Sequence, residues 1–292
     1  MLPLESVPNV SEGRDAAVIG AIGDALAAHA TLLDVHSDAD HNRSVFTLVG
    51  SEQALQEALV AGVAVAKERI DLRRHEGVHP RIGAADVVPI VPIRPEDMPR
   101  AKRTARLLAK RLTAELGLTT FLYGEVGEGR GPAFFRHGGT DALQRRLDEG
   151  EVAPAYGPPW LDPAAGAVLV GARRPLIAFN VNLRGSADAA REIAALVRET
   201  GGGFPGVRAL GLDLPAAGHA QVSMNVEDWE SARLDEVLAR IEAEAELRGA
   251  EVMGSELVGL MPAGAAAQAA GAALHLERFD ASRVLELRLL DR

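Results

Sequence analysis

One order of elements is written twice in this chain, and it dictates a duplicated α+β protein. Leu4–Val10 is strand-like, and Val18, Ile22 and Leu26 recur at four-residue spacing as one helical face, with Ser11 as the expected N-cap. Thr31–Val35 and Val45–Val49 read as strands on either side of the polar stretch HSDADHNR. Ser51 opens a second helix with Leu55, Leu59, Val63, Ala66 and Ile70 on one face. Ala85–Ile93 is the next strand, expected at an edge or bulge because Pro89 and Pro92 have no N–H for a ladder. This βαββαβ order is the ferredoxin-like one.

The order returns with a strand over Leu176–Leu183 and a helix carrying Ile193, Leu196 and Val197. Strands follow at Val207–Leu214 and Ala220–Val226. A helix then carries Leu234, Val237, Leu238 and Ile241, with Asp228 as N-cap and Gly249 as stop, and precedes a strand over Val252–Leu257. Each half continues with one more helix and strand, Asp97–Leu116 and Thr119–Tyr123 in the first, Pro262–Gly271 and Val284–Leu290 in the second. The first strand of each half even carries a matching asparagine, Asn9 and Asn182. The expected architecture is α+β, two ferredoxin-like subdomains over residues 1–175 and 176–292, with a ligand cleft between their sheets. Residues 124–175 hold 16 of the 46 Gly+Pro, which marks a long irregular connection of the kind that carries function.

Composition narrows the chemistry. A formal charge of −10 argues against a general nucleic-acid binder, since a phosphate backbone needs a basic surface. The lack of cysteine removes thiol nucleophiles and thiolate metal sites. No apolar run approaches the roughly 20 residues of a membrane span, and the start shows no leader, so a cytoplasmic protein is expected.

Histidine can exchange protons near neutral pH. Four of the eight histidines fall in two polar clusters, His36–His41 and His75–Arg81, which the βαββαβ order can bring to one end of one sheet beside Asn9. His75–His79 matches the zincin pattern HExxH, but Gly77 and Pro80 oppose the helix that pattern needs. A metal site built from His36, Asp38, Asp40, His41, His75 and His79 without that helix is a separate reading. The basic run from Arg100 to Arg111 reads as a solvated helix face, because Met98, Ala101, Ala105, Leu108 and Leu112 lie opposite. Arg43, Arg81 and Arg173 are better placed to grip a carboxylate with paired donors; partnering the many acidic side chains is the alternative. No P-loop, GxGxxG after a strand, or GxSxG elbow is present.

Seven strings in order, VPNVSEGRD, LLDVHSDADHNRSVFTLVG, HEGVHPRIGAADVVPIVPI, FLYGEVG, GARRPLIAFNVNL, AQVSMNVED and GSELVGLMP, resemble the glutamate formimidoyltransferase family, the formiminotransferase module of histidine degradation. The resemblance spans nearly the whole chain. It implies transfer of a formimino group from N-formimino-L-glutamate to tetrahydrofolate, giving 5-formiminotetrahydrofolate and L-glutamate. It also implies two subdomains facing across a folate groove, a homodimer, no metal, and a separate cyclodeaminase to complete the pathway.

By the same resemblance the catalytic histidine falls on His79, and the folate-binding loop on Gly157, Pro158, Pro159, Trp160, Leu161, Asp162, Pro163, Ala164, Ala165 and Gly166. Trp160 is then a stacking partner for folate or a plug in a subdomain interface. Asn9, Asn42, Tyr123, Asn180 and Asn182 would supply neutral hydrogen bonds around the reacting groups, and Arg43, Arg81 and Arg173 would hold carboxylates. The stretches His36–His41 and Glu125–Phe134 are where family members differ, so no role carries over to His36, Asp38 or Asp40. Three other functions fit some of these residues: formyl transfer from N-formylglutamate, metal-dependent hydrolysis of formiminoglutamate, and folate carriage without turnover.

Overall fold

A computed structural model of the chain describes residues 2–276, 279, 281–285 and 287, in two compact units divided between Arg174 and Pro175. The first unit runs β1 (Leu4–Ser6), β2 (Asn9–Val10), α1 (Ala16–Ala27), β3 (Thr31–Asp38), β4 (Arg43–Gly50), α2 (Glu52–Arg69), β5 (Ala85–Pro92), α3 (Met98–Leu116), β6 (Thr119–Gly124), α4 (Pro132–Arg136), α5 (Gly139–Asp148) and β7 (Ala167–Ala172). The second runs β8 (Ile177–Arg184), α6 (Ala187–Val197), β9 (Val207–Leu214), β10 (His219–Val226), α7 (Leu234–Leu247), β11 (Glu251–Val258) and α8 (Ala263–Ala273).

In the first sheet β1 and β2 act as one interrupted strand between β4 and β5, so the order is β3, β4, β1/β2, β5, β7, β6. β5, β7 and β6 run parallel to one another, and the pairings from β3 to β5 are antiparallel. The second sheet has the order β11, β8, β10, β9, antiparallel throughout. Taken in chain order, the four strands of the second sheet repeat the arrangement of β1/β2, β3, β4 and β5 in the first.

Strand parity sorts the side chains. On one face of the first sheet, Leu4, Phe46, Leu48, Val88, Ile90, Val168 and Val170 form a core with α1, α2 and α3. On the other, Val87, Phe121, Tyr123 and Leu169 pack with Phe135, Leu143 and Leu147 of α4 and α5. In the second unit Ile177, Phe179, Val181 and Leu183 of β8 pack with Ile193, Val197, Val237 and Ile241 of α6 and α7. At about 25 cal/mol per Å² of apolar surface removed from water, these cores drive folding.

Several local expectations are corrected. Ser11 does not cap α1; Asp15 does, accepting from the N–H groups of Ala17 and Val18, while the buried Ser11 hydroxyl donates to the Gly83 carbonyl. Asp228 does not cap α7, whose N-cap is Arg233; its carboxylate caps the preceding turn at Ser231 N. Strand β5 is not an edge, as it lies between β1/β2 and β7 with every residue buried, but it does carry a bulge, at Asp86 rather than at a proline. It tolerates Pro89 because β1/β2 is itself interrupted at Val7 and Pro8, between the pairs Ser6–Ile90 and Asn9–Val87. The hydroxyl of Ser6 donates to the Pro89 carbonyl there.

The 124–175 connection is not irregular throughout. The apolar run Ala167–Ala172 forms the fully buried parallel strand β7, and α4 and α5 precede it. His36, Ser37 and Asp38 belong to β3 and Arg43 to β4, so the polar stretch is half strand, with the turn confined to residues 39–42. The strand expected over Val284–Leu290 lies largely outside the described residues.

Candidate active site

The end of β2, the starts of β4 and β5 and the segment before β5 meet in the first unit. The β2–β5 register shifts between Asn9, opposite Val87, and Val10, opposite Ala85, leaving Asp86 as the extra residue. Such a bulge re-aims a side chain. Here it places the Asp86 carboxylate, 2% exposed, on the Ile82 N–H at 2.8 Å and on the Arg136 guanidinium.

Residues 75–81 form no helix, so His75 and His79 do not share a zincin face. The segment is held from within and from the β3–β4 hairpin. Arg81 donates to the carbonyls of Gly77 and His79 and to Nδ1 of His75. Asn42, in the left-handed region at φ 47°, donates to the Glu76 carbonyl at 2.8 Å and accepts from Gly13 N at 2.9 Å. Asn has a low cost in that conformation. Gly77 is required by close approach, since a Cβ there would stand 2.5 Å from the His41 carbonyl oxygen.

The His79 ring stacks on His41 at 5.9 Å between centroids, and its Nε2 accepts from Nη1 of Arg43 at 2.5 Å. Arg43 also donates to Oδ1 of Asn9, whose amide nitrogen donates to the Val7 carbonyl at 2.7 Å. Burial and the Arg43 and Arg136 cations hold the His79 pKa well below the ordinary histidine value. His75 is lowered to about 4 by burial and by Arg81. Arg43 falls to about 9 through burial and the neighbouring Arg136 and Arg81, partly offset by Asp86. Both imidazoles are therefore neutral at pH 7. A cavity of about 420 Å³ opens beside them, lined by His75, His79, Arg81 and the first turn of α5 at Gly139 and Thr140.

Tyr123, 4% exposed on β6, lies within electrostatic reach of Arg173, Arg136 and Asp86. Burial raises its pKa. Arg173 leaves the far end of β7, level with Ile90 and near Glu5, whereas His79 precedes the near end of β5. Arg43, Asn9, Asn42, Arg81 and His79 are thus brought together, and Arg173 is at the other end of the strands. Asn180 and Asn182 lie on β8, on the face away from its core; Asn180 donates to Glu256 at 3.2 Å and Asn182 accepts from Gln221 at 2.9 Å.

The Gly157–Gly166 loop lies against the segment that follows His79. Leu72 N donates to the Ala164 carbonyl and Ala84 N to that of Ala165, both at 2.8 Å, and Gly83 bridges Gly166. Asp162 folds the loop by accepting from Ala164 N and Ala165 N, and the Thr119 hydroxyl donates to the carbonyls of Pro158 and Trp160. Trp160 is 60% exposed.

Asp86 and Arg136 were not among the sequence-based candidates. One signal was available: Asp86 is the sole charged residue in the run ADVVPIVPI, which a buried strand does not admit without a partner.

A neutral histidine with the Arg43 guanidinium on its Nε2 and Arg136 nearby thus sits at one end of the first sheet. Residues 3–173 match the formiminotransferase domain, N-terminal subdomain, and residues 178–286 the formiminotransferase domain, so the chain belongs to the formiminotransferase family. It is 42% identical over 98% of both chains to a glutamate formimidoyltransferase of Streptococcus pyogenes serotype M1. A glutamate formimidoyltransferase of Thermoplasma acidophilum is 36% identical over 98% of this chain and 97% of that one. The formimidoyltransferase-cyclodeaminase of Gallus gallus is 40% identical over 89% of this chain, which spans half of that longer protein.

Proposed function

We propose that the chain is a glutamate formimidoyltransferase, moving the formimino group of N-formimino-L-glutamate to N5 of tetrahydrofolate. The near full-length identity to relatives bearing that name carries the reading, and the His79 site supplies chemistry that suits it. As N5 bonds to the formimino carbon and the bond from that carbon to the glutamate nitrogen breaks, one proton must pass from the first nitrogen to the second. His79, neutral at pH 7, takes it at Nε2 once Arg43 turns to a substrate carboxylate, then returns it to the departing amine. A single imidazole serves both nitrogens.

Asn9 and Asn42 hold the site around that ring, Arg81 fixes the segment that carries it, and Arg43 meets the donor's carboxylate. Gly157–Gly166 is the folate loop, with Trp160 as its stacking surface. Tyr123, Asn180 and Asn182 take neutral hydrogen bonds to the substrates, and Arg173 takes a carboxylate. Holding both reactants in line supplies the other large part of the rate. A homodimer in the cytoplasm, with a cyclodeaminase acting on the product, completes the reading.

The test is an assay of chelator-treated protein with N-formimino-L-glutamate and tetrahydrofolate, beside N-formyl-L-glutamate and a folate-free control. Glutamate release that requires tetrahydrofolate and prefers the formimino donor supports transfer. Release without folate, or activity only after metal is restored, refutes it.

A further inference from the structure

Arg136 ends α4, in the connection between β6 and β7, and α4 is anchored by Phe135, 3% exposed, whose ring lies 5.1 Å from that of Phe121. Its side chain is 12% exposed and turns inward to Asp86. Its Nε is buried with no partner, and so is the Nε of Arg43. Asp86 pairs directly with Arg136 and lies close enough to Arg43 and Arg81 to favour their charged forms. Arg43 and Arg136 thus both bear on the neutral His79 imidazole, and the carboxylate paired directly with them is Asp86, on Arg136, in a chain whose formal charge is −10. Buried cations in excess are costly unless an anion completes the set, and two unmet N–H donors are what a carboxylate satisfies.

We infer that Arg136, aimed by the positioning residue Asp86, forms with Arg43 the receptor for a carboxylate of the formimino donor. This rests on the proposed transferase reading. Arg136 provides the fixed half of the receptor, because Asp86 holds one of its terminal nitrogens and leaves Nε for the ligand. Arg43 provides the half that also touches His79, so occupation of the receptor and release of the imidazole lone pair are one event.

The experiment measures L-glutamate and tetrahydrofolate binding to the full-length protein by calorimetry, for wild type, Arg136→Gln, Arg136→Lys and Asp86→Asn. Thermal unfolding reports whether each variant is folded. Glutamate affinity is expected to fall about 30- to 100-fold in Arg136→Gln, consistent with loss of a charge-assisted pair. It falls less in Arg136→Lys, which keeps the charge and loses the fork, and in Asp86→Asn, which keeps the guanidinium and loses its aim. Tetrahydrofolate affinity stays within about threefold, and in turnover the loss appears in KM for the donor rather than in kcat.

Unchanged glutamate affinity in a folded Arg136 variant overturns the inference, as does an equal loss of tetrahydrofolate affinity. If Arg136→Gln does not fold, Arg136→Lys decides. Wild type that binds glutamate through Arg136 without transferring a formimino group would refute the function and keep the receptor. Wild type that transfers while folded Arg136 variants keep their donor KM would do the reverse.

Discussion

Arg43 Nη1 donates to His79 Nε2 across 2.5 Å, and because a guanidinium only donates, the nitrogen it meets carries no proton. The imidazole is thereby fixed as the Nδ1–H tautomer. Arg43→Gln removes the nearest cation, so the His79 pKa is expected to climb toward the ordinary value of about 6.5. Ring-proton NMR over pH 4–8 reads this, and an unmoved titration would show that burial alone depresses it. L-Glutamate added to wild type should move the same resonances, since a carboxylate on Arg43 frees the ring.

Arg81 places all of its hydrogen bonds inside residues 75–79. It acts on His79 by holding the segment that carries it. Arg81→Leu is expected to lower kcat about 100-fold through misplacement of the ring while donor KM changes little. A rise in KM with kcat kept would return Arg81 to carboxylate binding.

The fold was legible wherever a pattern is local. Period-four apolar faces located α1 and α2, and strand-like runs at Leu176–Leu183, Val207–Leu214, Ala220–Val226 and Val252–Leu257 located β8 to β11. What failed was set by partners remote in sequence: Pro89 sits in a central strand because β1/β2 breaks opposite it, and β7 hides in a glycine-rich stretch because its neighbours β5 and β6 come earlier. His79 was singled out by the family resemblance, whereas Arg136 was not singled out at all. Only the bulge at Asp86 and the turn before α4 bring that guanidinium to the site.

Gly166 has φ +68°, and a Cβ on it would stand 2.0 Å from the Ile82 carbonyl oxygen. Left-handed backbone strain alone costs about 1–3 kcal/mol for a side-chain-bearing residue, and the contact adds to it. Gly166→Ala is therefore expected to lower Tm by several degrees, at about 2–4 °C per kcal/mol, and to weaken folate binding. Gly129, also at positive φ but with open space around it, is the control: Gly129→Ala should lose less. Equal losses would mean that the Gly166–Ile82 approach plays no part.

Trp160 is 60% exposed, and its loop is held by backbone contacts and by Thr119 rather than by its ring. Trp160→Ala should leave Tm unchanged while weakening tetrahydrofolate binding by the roughly 1–3 kcal/mol that an aromatic stack on a heterocycle provides. Trp229 packs against the core of the second unit, so fluorescence of a Trp229→Phe background reports Trp160 alone. Absence of quenching by tetrahydrofolate there would remove Trp160 from the folate site.

The two depressed histidines make stability depend on pH with a definite sign. His75 has a folded pKa of about 4 against 6.5 for an ordinary histidine, and His79 is also well below 6.5. Between those values the unfolded chain binds more protons than the folded one, so the stability they contribute is complete above about pH 6.5 and is lost as pH falls toward 4. Glu5, whose carboxyl is raised by burial, opposes this trend, so the test compares proteins that share it. In His75→Gln the amide oxygen can still accept from Arg81 but no longer titrates. Its Tm should fall less steeply than that of wild type between pH 7 and 5, whatever its absolute value. Parallel curves would mean that His75 titrates alike in both states, and its contact with Arg81 would then carry no weight in the folded protein.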